Sequence, residues 1–164
     1  MLMGKYFGNL ELSSADRSFY RIRIVHSLFN EEHTHRLLED SRSELKSLGI
    51  PSSQVKTSAV PGALEIPFLI SSILNHEDCD GVLALGCVVR GKTYHFEIVA
   101  NDSARGIREV SCKKNVPCIN GILTVENEAQ AYERSVTKGR EFAQALIYMV
   151  DLSKQLQKEQ LTSS

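Results

Sequence analysis

Apolar and polar positions along this chain switch repeatedly between a period of two and a period near 3.6. Residues 21–26 alternate, with Ile22 and Ile24 on one side, and read as a first core strand. A helix follows, with Asn30 as its cap and Glu31 and Glu32 at its positive end. Its apolar stripe is Leu37, Leu38, Leu45 and Leu48, and Gly49 with Pro51 ends it. Residues 55–60 form a second strand, closed by the turn pair Pro61-Gly62. Ile66, Leu69, Ile70, Ile73 and Leu74 then recur at helical spacing, with Pro67 near the start, where its missing N–H costs little. Residues 81–89 are almost continuously apolar, as expected of a strand covered on both faces. Phe96, Val99, Ala100, Ile107 and Val110 mark another helix, and residues 118–125 a fourth strand. A short helix over 128–134 precedes a longer one carrying Phe142, Ala145, Leu146, Met149 and Val150. From Lys154 the tail turns polar and is expected to fray.

Strands alternating with helices, joined by connections of this length, predict a parallel sheet. The expected fold class is therefore α/β: a three-layer sandwich with a four-stranded parallel sheet and helices on both faces. A chain of 164 residues suits one such domain. We place it over residues 21–157, between an N-terminal segment, 1–20, and a polar tail, 158–164. Within the first of these only Leu10 and Leu12 alternate like a short strand.

Charge narrows the choice of partner. Nineteen basic against twenty acidic side chains leave a net charge of -1, which gives no electrostatic case for nucleic acid or an anionic membrane. No apolar run reaches spanning length, and nothing near the start has the form of a signal peptide, so the expected location is the cytoplasm. The four cysteines, Cys79, Cys87, Cys112 and Cys118, form no C-x-x-C pair and read as core thiols in a reducing compartment. His33 and His35, two apart on a helix, point to different faces and are expected to be surface histidines, so no metal site is expected.

In a parallel sheet the loops after the strands gather along one edge, beside helix N-termini that present free amides. Here those loops are Phe29-Asn30, residues 61–65, residues 90–95 and Glu126-Asn127. Together they hold an aromatic ring, a carboxylate, a Gly-Lys-Thr turn opening a helix, and a histidine. Each has a plainer reading. Phe29 suits a core plug, Glu65 suits the N-terminus of its helix, and His95 suits a solvated surface. Their convergence on one edge favours a binding site for a small phosphorylated molecule.

The string Gly86-Cys87-Val88-Val89-Arg90-Gly91-Lys92-Thr93 also fits the Walker A pattern letter for letter. Val88 and Val89 are β-branched and suit a continuing strand, and Gly86 lies inside the apolar run rather than after it. A nucleotide-hydrolysing loop is therefore disfavoured, while phosphate held by the amides of residues 91–93 is retained.

At these residues the sequence resembles the lumazine synthases of riboflavin biosynthesis. The resemblance rests on Phe29-Asn30, on Val60-Pro61-Gly62-Ala63-Leu64-Glu65-Ile66-Pro67, and on Leu85-Gly86-Cys87-Val88-Val89-Arg90-Gly91-Lys92-Thr93-Tyr94-His95-Phe96. Val99-Ala100-Asn101, Gly106-Ile107, Gly121-Ile122-Leu123-Thr124, Glu126-Asn127, Gln130-Ala131 and Glu133-Arg134 extend it over most of the chain. It implies a flavodoxin-like fold and an enzyme that condenses 5-amino-6-(D-ribitylamino)uracil with 3,4-dihydroxy-2-butanone 4-phosphate, without metal or organic cofactor. By the same resemblance Phe29 stacks on the pyrimidine. Asn30, Ala63, Leu64, Glu65, Cys87, Val88 and Val89 meet the uracil and ribityl groups, with Glu65 accepting from ribityl hydroxyls. Lys92, Thr93 and Arg134 bind the phosphate, and His95 moves protons.

It further implies a homopentamer, or a multiple of pentamers, with the site between adjacent subunits and Arg134 acting on a neighbour's pocket. The Leu10–Leu12 stretch is then expected to add to a neighbour's sheet. Two departures bear on this. Asn120, which the resemblance places among the residues that meet the uracil, stands where the family usually has a phenylalanine that encloses it, and the turn after Arg134 is shorter than the common version. A non-catalytic lumazine- or flavin-binding shell protein and, less favoured, a P-loop nucleotide enzyme are the competing expectations.

Overall fold

A computed structural model describes residues 15–162 of the chain; the Leu10–Leu12 stretch lies outside them. The strands are β1 (Ile22–Ser27), β2 (Val55–Val60), β3 (Gly81–Val89) and β4 (Cys118–Val125). The helices are α1 (Glu31–Ser47), α2 (Ile66–His76), α3 (His95–Lys114), α4 (Glu128–Ser135) and α5 (Lys138–Thr162). All strand pairs are parallel, in the order β2-β1-β3-β4. The expected sandwich is therefore present. Single 3₁₀ turns at Ser52–Gln54 and Ala63–Glu65, which periodicity did not signal, precede β2 and α2.

The period-two pattern of β3 builds a core on each face of the sheet. Leu83, Leu85 and Cys87 join Leu37, Leu45, Leu146 and Ile147 of α1 and α5 on one side. Val82 and Ala84 join Ile66, Ile70 and Ile107 of α2 and α3 on the other. Burial on both faces explains why β3 is apolar throughout. From β1 the chain turns outward to β2 and then returns to β1's other side as β3. The strand order thus reverses between β1 and β3, and a crevice opens beyond their carboxyl ends.

Two local expectations need correction. α5 does not fray after Lys154 but continues to Thr162. Lys154 Nζ lies 2.8 Å from Asp80 Oδ1 and over the Tyr20 ring, and Gln155 bonds Glu159 one turn on, which holds the polar turns in register. Asn30 does precede α1, but its side chain caps no helix amide. It sits in the left-handed region at φ 56 and donates Nδ2 to the Cys87 carbonyl at 2.8 Å, leaving its own carbonyl to receive the His33 and Thr34 amides. Gly49 ends α1 as expected, at φ +92.

Asp80 ties the amino edge of the sheet together. Its carboxylate accepts from the Arg21 backbone N–H at 2.7 Å, from Arg21 Nε at 3.2 Å and from Lys154. Burial alone would raise this carboxyl, but the bonds from Arg21 and Lys154 outweigh it and hold the pKa below its ordinary value. A depressed folded pKa means stabilisation that is complete above the unfolded value, about 3.9, and lost as pH falls through the folded one. Asp80→Asn is expected to cost roughly 1.5–3 kcal/mol at pH 7, with the gap to the parent narrowing below pH ~4. Urea denaturation at both pH values measures this; an equal loss at each would refute the charge-based account.

Candidate active site

β1 and β3 deliver the first wall of the crevice. Leu28 and Phe29 donate their amides to the Val60 and Pro61 carbonyls at 2.9 and 3.1 Å, which fixes the loop after β1 against the loop after β2. Phe29 is left 73% exposed, so it is no core plug; its ring faces the opening. Asn30, anchored on the Cys87 carbonyl, joins the two strand ends across the floor. The turn Ala63–Glu65 closes the next side, with Ala63 buried and Leu64 and Glu65 exposed. Gly62 leaves room there, since a Cβ on it would stand 3.0 Å from Glu65 Oε2.

The cavity is about 400 Å³ and is lined by Phe29, Asn30, Ala63, Leu64, Glu65, Cys87, Val88, Val89, Thr93 and His95 of the expected residues. Ser27, Gly62, Gly91, Phe96 and Val99 line it as well. Ser27 was missed because the end of β1 was placed one residue early; Phe96 and Val99 were legible only as helix core. Burial, with a smaller contribution from the Glu128 charge, pushes the Cys87 thiol up to about 11, so it is a neutral wall and not a nucleophile. The four cysteines are free, but only Cys87 is fully buried and Cys112 is exposed.

The turn after β3 is the polar end. Among the described residues nothing accepts from the amides of Gly91, Lys92 or Thr93, and α3 starts just beyond them. Free amides before a helix N-terminus favour an anion. Arg90, outside the expected site, braces the turn: Nε bonds Glu126 Oε2 at 2.6 Å, Nη1 bonds Glu97, and its guanidinium lies 4.2 Å from the Phe96 ring centroid. The bonds to Glu126 and then Glu97 raise the Arg90 pKa, so the brace stays charged.

Gly86 pairs with Ile122 inside β3, and Val88 and Val89 pair with Thr124 and Val125. The first half of the Walker-like string is thus strand, from its first glycine to Val89, which leaves no loop there to wrap a phosphate.

Three expected residues lie outside this crevice. Lys92 is exposed beside it and makes no ion pair among the described residues. Arg134 is exposed on α4. Asn120 is paired with Ala84, three positions before the Leu123–Cys87 pair at the crevice floor, and its Oδ1 accepts from the Ile122 amide at 3.0 Å. His33 overturns the surface-histidine expectation: it is 7% exposed, with Nε2 2.8 Å from Glu128 Oε2. His35 is exposed as expected.

A crevice at a switch point, with an aromatic wall, a carboxylate, an imidazole and an amide-rich turn, defines a flavodoxin-like α/β enzyme acting on a small polar, anionic substrate. The sequence model of the family described as 6,7-dimethyl-8-ribityllumazine synthase matches residues 20–154. The chain is 43% identical over 141 residues to the 6,7-dimethyl-8-ribityllumazine synthase of Leptothrix cholodnii, spanning 86% of this chain and 92% of that one. It is 44% identical over 136 residues to that of Methylibium petroleiphilum, spanning 83% and 85%. The chain belongs to the 6,7-dimethyl-8-ribityllumazine synthase family, transferases of riboflavin biosynthesis.

Proposed function

We propose that this crevice is where the chain condenses 5-amino-6-(D-ribitylamino)uracil with 3,4-dihydroxy-2-butanone 4-phosphate, releasing phosphate and water. The observation that carries the assignment is the meeting of Phe29, Glu65, Thr93 and His95, from three separate stretches of chain, around one cavity. Phe29 stacks on the pyrimidine, Glu65 accepts from the ribityl hydroxyls, and Cys87 to Val89 present backbone groups to the uracil. The amine attacks the ketone, water and phosphate leave, and the ring closes. Holding both molecules in one cavity is worth up to about 7–11 kcal/mol as effective molarity. His95 carries the protons of these steps. The turn amides, Lys92, Thr93 and a guanidinium stabilise the departing phosphate.

Arg134 and Asn120 lie outside the crevice of their own chain, which supports a site completed by a neighbour, in a homopentamer or a multiple of pentamers. Phe68, 78% exposed, and Tyr94, 73% exposed, are apolar surface of the kind such an interface covers. The domain of residues 21–157 is the catalytic unit. It works in the cytoplasm, a reading supported by its free thiols. Among the described residues no helix is long and apolar enough to cross a membrane.

Mixing purified protein with both substrates is expected to give the product's absorbance well above the uncatalysed rate, and a native mass at a multiple of five chains. No excess rate would defeat the catalytic reading, and an active monomer would defeat the shared site.

A further inference from the structure

His33 enters the seam between the first turn of α1 and the inner face of α4. That face is Glu128, Ala131 and Ser135, spaced i, i+3, i+7, with the last two fully buried. His33 Nε2 lies 2.8 Å from Glu128 Oε2 at one end of α4, and Nδ1 lies 3.5 Å from Ser135 Oγ at the other. One turn further along α1, Arg36 sets its guanidinium 4.9 Å from the Tyr132 ring centroid and an Nη1 3.4 Å from His33 Nδ1. Arginine can only donate, and the Ser135 hydroxyl is already given to the Tyr132 carbonyl. The tautomer with its proton on Nε2 therefore satisfies the whole group: it donates to Glu128 and accepts from Arg36.

α4 has eight residues, too few for a helix to hold itself, so its orientation comes from what it packs on. The same His33 also reaches the crevice through its backbone. Its amide donates to the Asn30 carbonyl at 3.1 Å, and the Asn30 side chain holds the Cys87 carbonyl of the crevice floor. One residue thus links the floor of the cavity to the helix that carries Arg134.

We infer that His33, through Glu128, is a positioning residue for the reaction: it sets the angle of α4 and so the reach of the Arg134 guanidinium toward the phosphate in a neighbour's pocket. The inference rests on the phosphate-binding role proposed for Arg134. Misplacing a charged group by about an ångström is enough to cost up to a hundredfold.

The test is steady-state kinetics on the full chain with each substrate varied in turn. His33→Leu fills the seam with apolar bulk, and Glu128, whose side chain is 72% exposed, can turn to water, so the variant is expected to fold. KM for the butanone phosphate should rise about tenfold while KM for the uracil stays within about twofold. Glu128→Gln, and His33→Gln, which can still bond Glu128, should sit between the parent and His33→Leu. In an Arg134→Gln background, His33→Leu should add nothing further.

If Arg134→Gln raises KM for the phosphate substrate and His33→Leu does not, the inference fails while the reading of Arg134 stands. An undiminished effect of His33→Leu in the Arg134→Gln background also overturns it. If Arg134→Gln itself leaves that KM unchanged, the phosphate role of Arg134 falls and the inference goes with it. Should His33→Leu not fold, Glu128→Gln decides on the same split between the two KM values.

Discussion

Replacing His95 with alanine is expected to lower kcat by about 10²–10⁴ with little change in melting temperature. His95 is the first residue of α3; it is exposed, lines the cavity, and makes no side-chain hydrogen bond among the described residues. Its removal therefore disturbs no packing. What it removes is the imidazole beside the amide-rich turn, at the end of the cavity to which the proposed reaction assigns phosphate departure and the amine's loss of protons. Imidazole is the side chain best matched to proton transfer near neutral pH. Binding should survive, because the aromatic wall, Glu65 and the free amides are untouched, so both KM values should stay within a few fold. Single-turnover absorbance measurements separate this from slow product release. A variant that keeps more than about a third of the parental rate would show that proton transfer at His95 is not part of the slow step.

The strands were legible because each had a cause visible locally. β3 is a nearly unbroken apolar run since helices cover both its faces, and β1 alternates at Ile22 and Ile24, whose side chains enter one core. Once four strands and long connections were read, the parallel sheet followed, and with it the edge where Phe29, Glu65, Thr93 and His95 meet. What stayed hidden depends on partners distant in sequence. Spacing along α1 says that His33 and His35 diverge, but not that Glu128 waits opposite one of them, 95 positions away. The cap expected at Asn30 is a short-range rule overridden by a carbonyl 57 positions on. Lys154 reads as the start of a polar tail until Asp80 is placed beside it.

The limit on the site has the same origin. Register sets Asn120 opposite Ala84, short of the crevice floor, and no pattern within β4 shows which way its edge faces. Arg90 was legible only as part of a motif. Its function as a brace needs Glu97 and Glu126, which the sequence puts on different elements.

Gly139→Ala should destabilise the protein, and Gly139→Val should cost about 3 kcal/mol or more, a large share of a total stability of about 5–15 kcal/mol. Helix propensity alone argues the reverse: an alanine near the start of α5 would gain up to about 1 kcal/mol over glycine. Packing decides against it. Gly139 is buried where α5 crosses α1, and a Cβ there would stand 2.6 Å from the Leu37 carbonyl oxygen and 2.8 Å from Asp40 Cβ. The first of these is backbone and cannot turn aside, so the helices must separate. Separation breaks the Ser41 Oγ bond to the Gly139 carbonyl, 2.9 Å and buried, and strains the Asp40 bonds to the Arg140 amide and guanidinium. Each such bond is worth about 1 kcal/mol, more where a charge is involved. Gly91→Ala is the control, because no atom lies within 4 Å of its Cβ position, and its stability should be unchanged. Urea denaturation of the three variants measures the order; a Gly139→Ala protein more stable than its parent would mean that α1 and α5 do not approach this closely.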